Sequence, residues 1–206
     1  FLGPLPDVEG LEPVDNIALG QIYQVHADNR LPFYNVMGGL QDNGAWAGPG
    51  RTREPGGIMN DDWRMVNFGD GFYILNHPDD PDLYISESQG GSLMRTDMRT
   101  REQQEVKPWG RGSGDGPPLG QKYRFNWNPA SSASPHDPRT IYFGGNVVFK
   151  TSNQGQTWDV ISPDLTTNDK SKQQSSGGPV VVDNTAAEFH CTILTIAESP
   201  VKAGVI

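Results

Sequence analysis

Four short polar runs, each carrying glycine, hold most of the residues of this sequence that could do chemistry: Gln41-Asp42-Asn43-Gly44, Gly69-Asp70-Gly71, Glu87-Ser88-Gln89-Gly90 and Gly144-Gly145-Asn146. Glycine has no Cβ, so a carboxylate or amide beside it is open to close approach by a ligand or by another stretch of backbone. A pair of carboxyls about 5 to 9.5 Å apart can cleave a glycosidic bond. Asp70 or Glu87 could supply the second carboxyl beside Asp42, and Trp46 or Trp63 could offer a flat face for a sugar ring. Gln41, Asn43, Gln89 and Asn146 complete the candidate ligand-binding set as hydrogen-bonding side chains. The same residues have a plainer reading, because Asp-Asn-Gly is hairpin chemistry and Asp42, Asn43 and Gly44 can close a turn with no ligand at all.

Other chemistries are sparser. The loop His77-Pro78-Asp79-Asp80-Pro81-Asp82 holds three aspartates, and Asp79, Asp80 and Asp82 could present hard oxygen ligands to calcium. Ordinary solvation of a proline-bounded loop explains it equally well. The histidines at 26, 77, 136 and 190 fall on separate segments and Cys191 has no second cysteine, so neither a zinc spacing nor an internal disulfide exists. Cys191 lies in an apolar run and reads as a buried, inert thiol. A nucleophile paired with His190 is the sharper alternative, opposed by the opposite facing of adjacent strand residues. Arg51-Thr52-Arg53 reads as a solvated loop rather than an anion clamp.

The elements that must position these residues are short. The chain has 206 residues, 34% of them hydrophobic, with 25 glycines and 17 prolines. That composition favours many turns over long helices, and an all-β fold. Acidic residues number 25 against 16 basic, for a net charge of -9, and no basic cluster is interleaved with aromatics, which argues against polyanion and nucleic-acid binding. No apolar run approaches the roughly 20 residues of a bilayer span. The start, Phe1-Leu2-Gly3-Pro4, lacks the basic beginning of a signal peptide, as mature or truncated material would.

β-Branched and aromatic runs separated by Gly, Asn and Pro recur in groups of four. Aligned on Tyr34, Tyr84 and Tyr142, the groups repeat roughly every 50 to 60 residues with no helical periodicity, the pattern of β-propeller blades of four antiparallel strands. The expected division is a lead-in at 1–19, a first blade at 20–68, a second at 69–109, a linker loop at 110–120, a third blade at 121–164 with its first strand at 123–127, a loop at 165–190, and the start of a fourth blade at 191–206 whose first strand covers 191–197. Three blades and a partial fourth make an incomplete ring, so the rest of the propeller is expected in the same polypeptide or in another chain. In such a blade the loop entering the first strand and the loop leaving the second lie on one face, near the channel. This groups Asp42, Asp70, Glu87, Gln89 and Asn146, and it puts Asp28, the acidic loop and the 151–158 turn on the other face.

That turn, Thr151-Ser152-Asn153-Gln154-Gly155-Gln156-Thr157-Trp158, resembles the Asp-box (BNR-like) turn of sialidases, sortilin-type receptors and xyloglucanase-like hydrolases, with Asn153 where aspartate is usual. Its physics favours a structural role: Asn153 can bond downstream backbone, Gly155 can take positive φ, and Trp158 can pack between sheets. The runs from Tyr34 to Trp46, Gly69 to Tyr73 and Tyr84 to Gly91 are similar to secreted bacterial propeller proteins of the sortilin-like and xyloglucanase-like kind. The resemblance implies a seven-bladed propeller in a secreted or periplasmic protein. It also implies that Asp42, leaving the second strand of an early blade ahead of Gly44 and Trp46, stands where such hydrolases keep one member of their catalytic pair; their second member lies on a distant propeller. A protein- or glycan-binding scaffold is the favoured expectation, and a glycoside hydrolase fragment using Asp42 with Glu87 or Asp70 is the alternative.

Overall fold

The computed structural model describes residues 20–77, 79–110, 116–187 and 189–206. The described chain is all-β, with helix confined to single three-residue 3-10 turns such as Asn60–Asp62. The first sheet contains β1 (Ile22–Ala27), β2 (Asn35–Leu40), β3 (Gly44–Pro49) and β4 (Arg64–Asn67). The second contains β5 (Gly71–Asn76), β6 (Leu83–Ser88), β7 (Ser92–Asp97) and β8 (Glu102–Glu105). The third contains β9 (Ser131–Ala133), β10 (Ile141–Gly144), β11 (Val148–Thr151) and β12 (Asp159–Val160). Each is a four-stranded antiparallel meander in sequence order. The expected lead-in at 1–19 and most of the expected linker, residues 111–115, lie outside the described residues.

The sheets stack through apolar faces, and the middle sheet is covered on both. Along β6 successive side chains point to opposite faces. Tyr84 joins Met37, Ala45, Ala47, Val66 and Ile74 in the core against the first sheet. Ile85 joins Leu93, Phe125, Ile141, Phe143 and Phe149 in the core against the third. Two buried faces explain why Tyr84 to Ser88 are all buried, polar residues included. Burying each of Phe143 and Phe149 contributes roughly 1.5–3 kcal/mol.

Near the ends of β2 and β5 the sheets approach until backbone touches backbone. A Cβ on Gly39 would stand 2.2 Å from the carbonyl of Gly71, and one on Gly71 would stand 2.4 Å from the oxygen of Gly44. The Gly44 amide, at φ 73°, donates to the Gly69 carbonyl at 2.7 Å and closes the seam.

Two expected strands do not form. Residues 123–127 carry no ladder: Tyr123 and Phe125 turn into the core, and the strand beside β10 is Ser131–Ala133. The aromatic spacing there reports burial, whereas pairing with β10 selects two serines and an alanine of low intrinsic β preference. Residues 191–197 also form no strand. The Ile193 amide donates to the Gly145 carbonyl at 2.7 Å, and its side chain lies against Gly144. The segment touches the third sheet at Ile193, and among the described residues no neighbouring strand supplies a ladder to it.

Candidate functional site

The loops leaving the second strand of each sheet meet the segments that enter the next. In the three-residue hairpin loop Gln41-Asp42-Asn43, Leu40 pairs with Gly44, and Asp42 adopts φ 57°. The Asp42 amide donates to Asp70 Oδ1 at 2.7 Å, and the Asp70 amide donates to Gln89 Oε1 at 2.8 Å. Gln89 Oε1 also accepts from the Ser88 hydroxyl at 2.5 Å, and the Gly90 amide donates to the Trp127 carbonyl at 3.1 Å. Asp42, Asp70 and Gln89 are thus gathered into one relay. Asp70 is buried, while the Asp42 carboxylate is exposed and makes no hydrogen bond with the described residues.

Sequence reasoning missed Tyr23 of β1. Burial raises its phenol, and the nearby charges of Asp70 and Asp42 raise it further. Its ring lies 4.9 Å from Phe72. A strand tyrosine carries no local signal of such a place, which depends on the β1 and β5 strands meeting. The remaining candidates of the first sheet have turn-building contacts. Asn43 Nδ2 donates to the Gln41 carbonyl at 2.9 Å, the Gln41 amide donates to the Gln21 carbonyl at 3.0 Å, and Trp46 Nε1 donates to the Asn43 carbonyl at 2.6 Å.

Glu87 is two residues from Gln89 and faces elsewhere. Strand alternation sends its carboxyl into the core between the second and third sheets, where it is 1% exposed. Oε2 accepts from the Ser131 hydroxyl at 2.8 Å, and Oε1 has no partner among the described residues. Burial pushes the carboxyl well above the ordinary glutamate range, and the Ser131 bond offsets only part of that. Such a setting favours the protonated, neutral form of Glu87.

Asn146 belongs to a separate strut. Its Oδ1 accepts from the Arg124 amide at 3.0 Å and its Nδ2 donates to Asp164 at 2.9 Å, while the Arg124 guanidinium reaches the same Asp164 oxygen at 2.7 Å. Burial alone would raise the Asp164 carboxyl, but hydrogen bonds from Thr166, Asn146 and Arg124 outweigh it and hold the group well below the usual carboxylate range. The Asp164-x-Thr166 pattern is a local turn signal that sequence reading could have used; the long-range link to Arg124 has no such signal.

At the other end of the strands the acidic loop is neutralised from three directions. Arg139 of the β9–β10 loop pairs with Asp79 at 3.0 Å, Arg99 of the β7–β8 hairpin with Asp80 at 2.8 Å, and Arg30 of the β1–β2 loop with Asp82 at 2.7 Å. Arg30 also holds Asp28, whose side chain is fully buried and accepts from the Asn35 amide. Among the described residues no group of three or more His, Cys, Asp or Glu side chains is placed to hold a metal ion. In the 151–158 turn, Asn153 Oδ1 accepts from the Thr157 amide and the Thr151 hydroxyl, both at 2.9 Å, and Thr151 Oγ1 accepts from the Gly155 amide at 3.0 Å. Trp158 Nε1 donates to the Val106 carbonyl at 2.7 Å, tying the third sheet to the second.

Cys191 is half-buried, with φ 61°; its thiol lies 3.6 Å from the Thr167 hydroxyl and has no bond to His190 among the described residues. No helix among the described residues is long and apolar enough to cross a membrane. The chain matches no protein-family model and no curated protein.

Proposed function

We propose that the chain forms three consecutive blades of a β-propeller that serves as a scaffold for binding protein or glycan, with the remaining blades supplied by the same polypeptide or by another chain. The observation that carries this reading is the outer face of the first sheet. Gly39 points toward the second sheet, so Gly38 points away from it. Ile22 and Val25 pack beside Gly38 on that outward face and are 53% and 58% exposed. The corresponding face of the second sheet, which carries Ile74 and Tyr84, is covered by the first sheet. An apolar face of the same construction calls for the same cover, a further four-stranded sheet. A secreted or periplasmic setting belongs to this proposal and rests on the resemblance of the Asp-box-like turn and the flanking runs.

The test is a structure of the complete polypeptide or assembly that contains these residues. Another sheet seated on Ile22 and Val25 is the expected result. Finding both side chains in water within the complete assembly would refute the ring.

One observation supports the hydrolase reading as a second proposal: Asp42 carries an exposed carboxylate, and its backbone amide donates to the buried carboxyl of Asp70, which brings the two aspartates together at the seam. Asp42→Asn in the complete protein distinguishes the two. Loss of sugar release from a β-glucan would establish hydrolysis, and release unaffected by the substitution would remove Asp42 from it.

A further inference from the structure

We infer that the cleft between the outer strands of the first and second sheets binds an acidic sugar, a saccharide ring bearing a single carboxylate, with Arg64 and Arg101 as the carboxylate clamp and Trp63 as the ring platform. The cleft has a volume of about 540 Å³ and is lined by Asp61, Trp63, Arg64, Met98, Arg101 and Gln103 among others. That size is ample for one or two sugar rings.

Its guanidiniums stand apart from the others. Arg30, Arg99, Arg124 and Arg139 are in ion pairs, Arg95 donates to Gln104, and Arg51 and Arg53 lie over the Phe33 ring. Arg64 and Arg101 have no side-chain hydrogen bond, ion pair or ring contact with the described residues, and both line this cleft, Arg64 also bordering the neighbouring cleft beside Asp62 and Asp82. Arg101 sits at φ 62°, a backbone more readily adopted by Gly or Asn, at the turn where the neighbouring Arg99 is committed to Asp97 and Asp80. Two free forks are suited to the two oxygens of a carboxylate.

The rest of the lining suits a polyhydroxylated ring. The Trp63 indole is held flat: a Cβ on Gly48 would meet its Cδ2, Cε3 and Cε2 atoms at 2.5, 2.7 and 2.9 Å, so the glycine lies over one ring face at the fusion bond. A fixed indole is a platform for the apolar face of a sugar. The Asp61 carboxylate makes no hydrogen bond with the described residues and can accept from ring hydroxyls. Gln103 is oriented by its Nε2 bond to the Val66 carbonyl at 2.8 Å, which leaves its oxygen to accept. One carboxylate, rather than many, fits a chain of net charge -9, whose long-range field repels a polyanion while a local pair of guanidiniums still holds one acid group. This inference deepens the glycan-binding side of the scaffold reading, but the cleft is built by the first two sheets alone and does not depend on a closed ring.

The experiment is a titration, by tryptophan fluorescence and calorimetry, with cellobiouronic acid, which carries one carboxylate, against cellobiose and against sodium acetate. Saturable binding of the acidic disaccharide is expected, at least about tenfold tighter than either control. Arg64→Gln, Arg101→Gln and Trp63→Ala should each weaken it by about tenfold or more, with far-UV circular dichroism unchanged, and affinity should fall as salt rises. Equal binding of cellobiose removes the clamp, and equal binding of acetate reduces the cleft to an adventitious anion site; either result overturns the inference. So does the absence of saturation at about 10 mM ligand, or binding that folded Arg64→Gln and Arg101→Gln proteins retain. None of these outcomes bears on whether a further sheet covers Ile22 and Val25.

Discussion

The amide of Asp42 and the carboxylate of Asp70 meet at 2.7 Å across the seam between the first and second sheets, so a residue in one hairpin loop holds the segment that begins the next sheet. The bond uses the backbone of Asp42 and the side chain of Asp70. The two aspartates therefore respond differently to substitution. Asp70→Ala removes the acceptor and should destabilise the fold by about 1–3 kcal/mol, whereas Asp42→Asn should change stability by less than about 0.5 kcal/mol. Urea unfolding of the two variants measures the difference, and equal losses would show that the Asp42 side chain carries structure after all.

Gly39 and Gly71 touch through their backbones, which makes the seam intolerant of a single methyl group. Gly71→Ala should cost about 2–3 kcal/mol or more, because the methyl group would meet the Gly44 oxygen and a carbonyl cannot give way as a flexible side chain does. Gly57→Ala is the control: its Cβ would meet nothing within 4 Å, so only its φ of 78° is strained. Thermal denaturation of the pair separates collision from backbone conformation.

Glu87 makes stability depend on pH with a definite sign. The unfolded chain releases this proton near 4.5, and the folded chain keeps it to higher pH because the carboxyl is buried. Stability is therefore undiminished by this group below pH about 4.5 and falls as pH rises through the folded value. The Ser131 hydroxyl, which donates to it, and the nearby Tyr73 phenol are both neutral, and neither is a cation that could favour the ionised form. Glu87→Gln should be near neutral at pH 4 and should gain in stability on the parent by pH 8, because the glutamine has no proton to lose. Parallel unfolding curves at the two pH values would contradict a buried neutral acid.

Asp164 should behave in the opposite sense. Its folded carboxyl lies below the unfolded value of 3.8, so its contribution is present above that pH and is lost as pH falls through the folded value. Asp164→Ala should cost on the order of 2 kcal/mol at pH 7, because it leaves the Arg124 guanidinium, 3% exposed, without its charge partner. The loss should shrink when Arg124 is also replaced by Met, and a double-mutant cycle reads that coupling directly.

Asn153 tests the turn that closes the third sheet. Its Oδ1 accepts two bonds, while its Nδ2 donates to Thr157 Oγ1 at 2.8 Å. Aspartate keeps the acceptors, and the Thr157 hydroxyl can rotate to become the donor. Asn153→Asp should thus lie within about 0.5 kcal/mol of the parent, and Asn153→Ala should lose about 1 kcal/mol or more, both read from denaturant midpoints.

The sequence alone determined the all-β character and the first two sheets, because turn residues and strand runs there are local and regular. Gly44 and the Asn43 turn, the β6 run from Leu83, and the 151–158 turn are all readable from neighbouring residue types. Only the tertiary structure decided what those residues face. Glu87 and Gln89 look like one polar site in sequence, yet β6 ends at Ser88: Glu87, still in the strand, faces the core on the side of Ile85, while Gln89 has left the ladder in a 3-10 turn and holds Asp70. Asp79, Asp80 and Asp82 read in sequence as one acidic run, and only the tertiary structure brings arginines from three different sheets to pair with them. The 123–127 run shows the same limit: its aromatics announce burial, and the strand is instead the Ser131–Ala133 segment that β10 can reach. Local chemistry sets conformation over a few residues, whereas charge pairing, burial and ladder partners come from segments far apart in the chain, which only packing brings together.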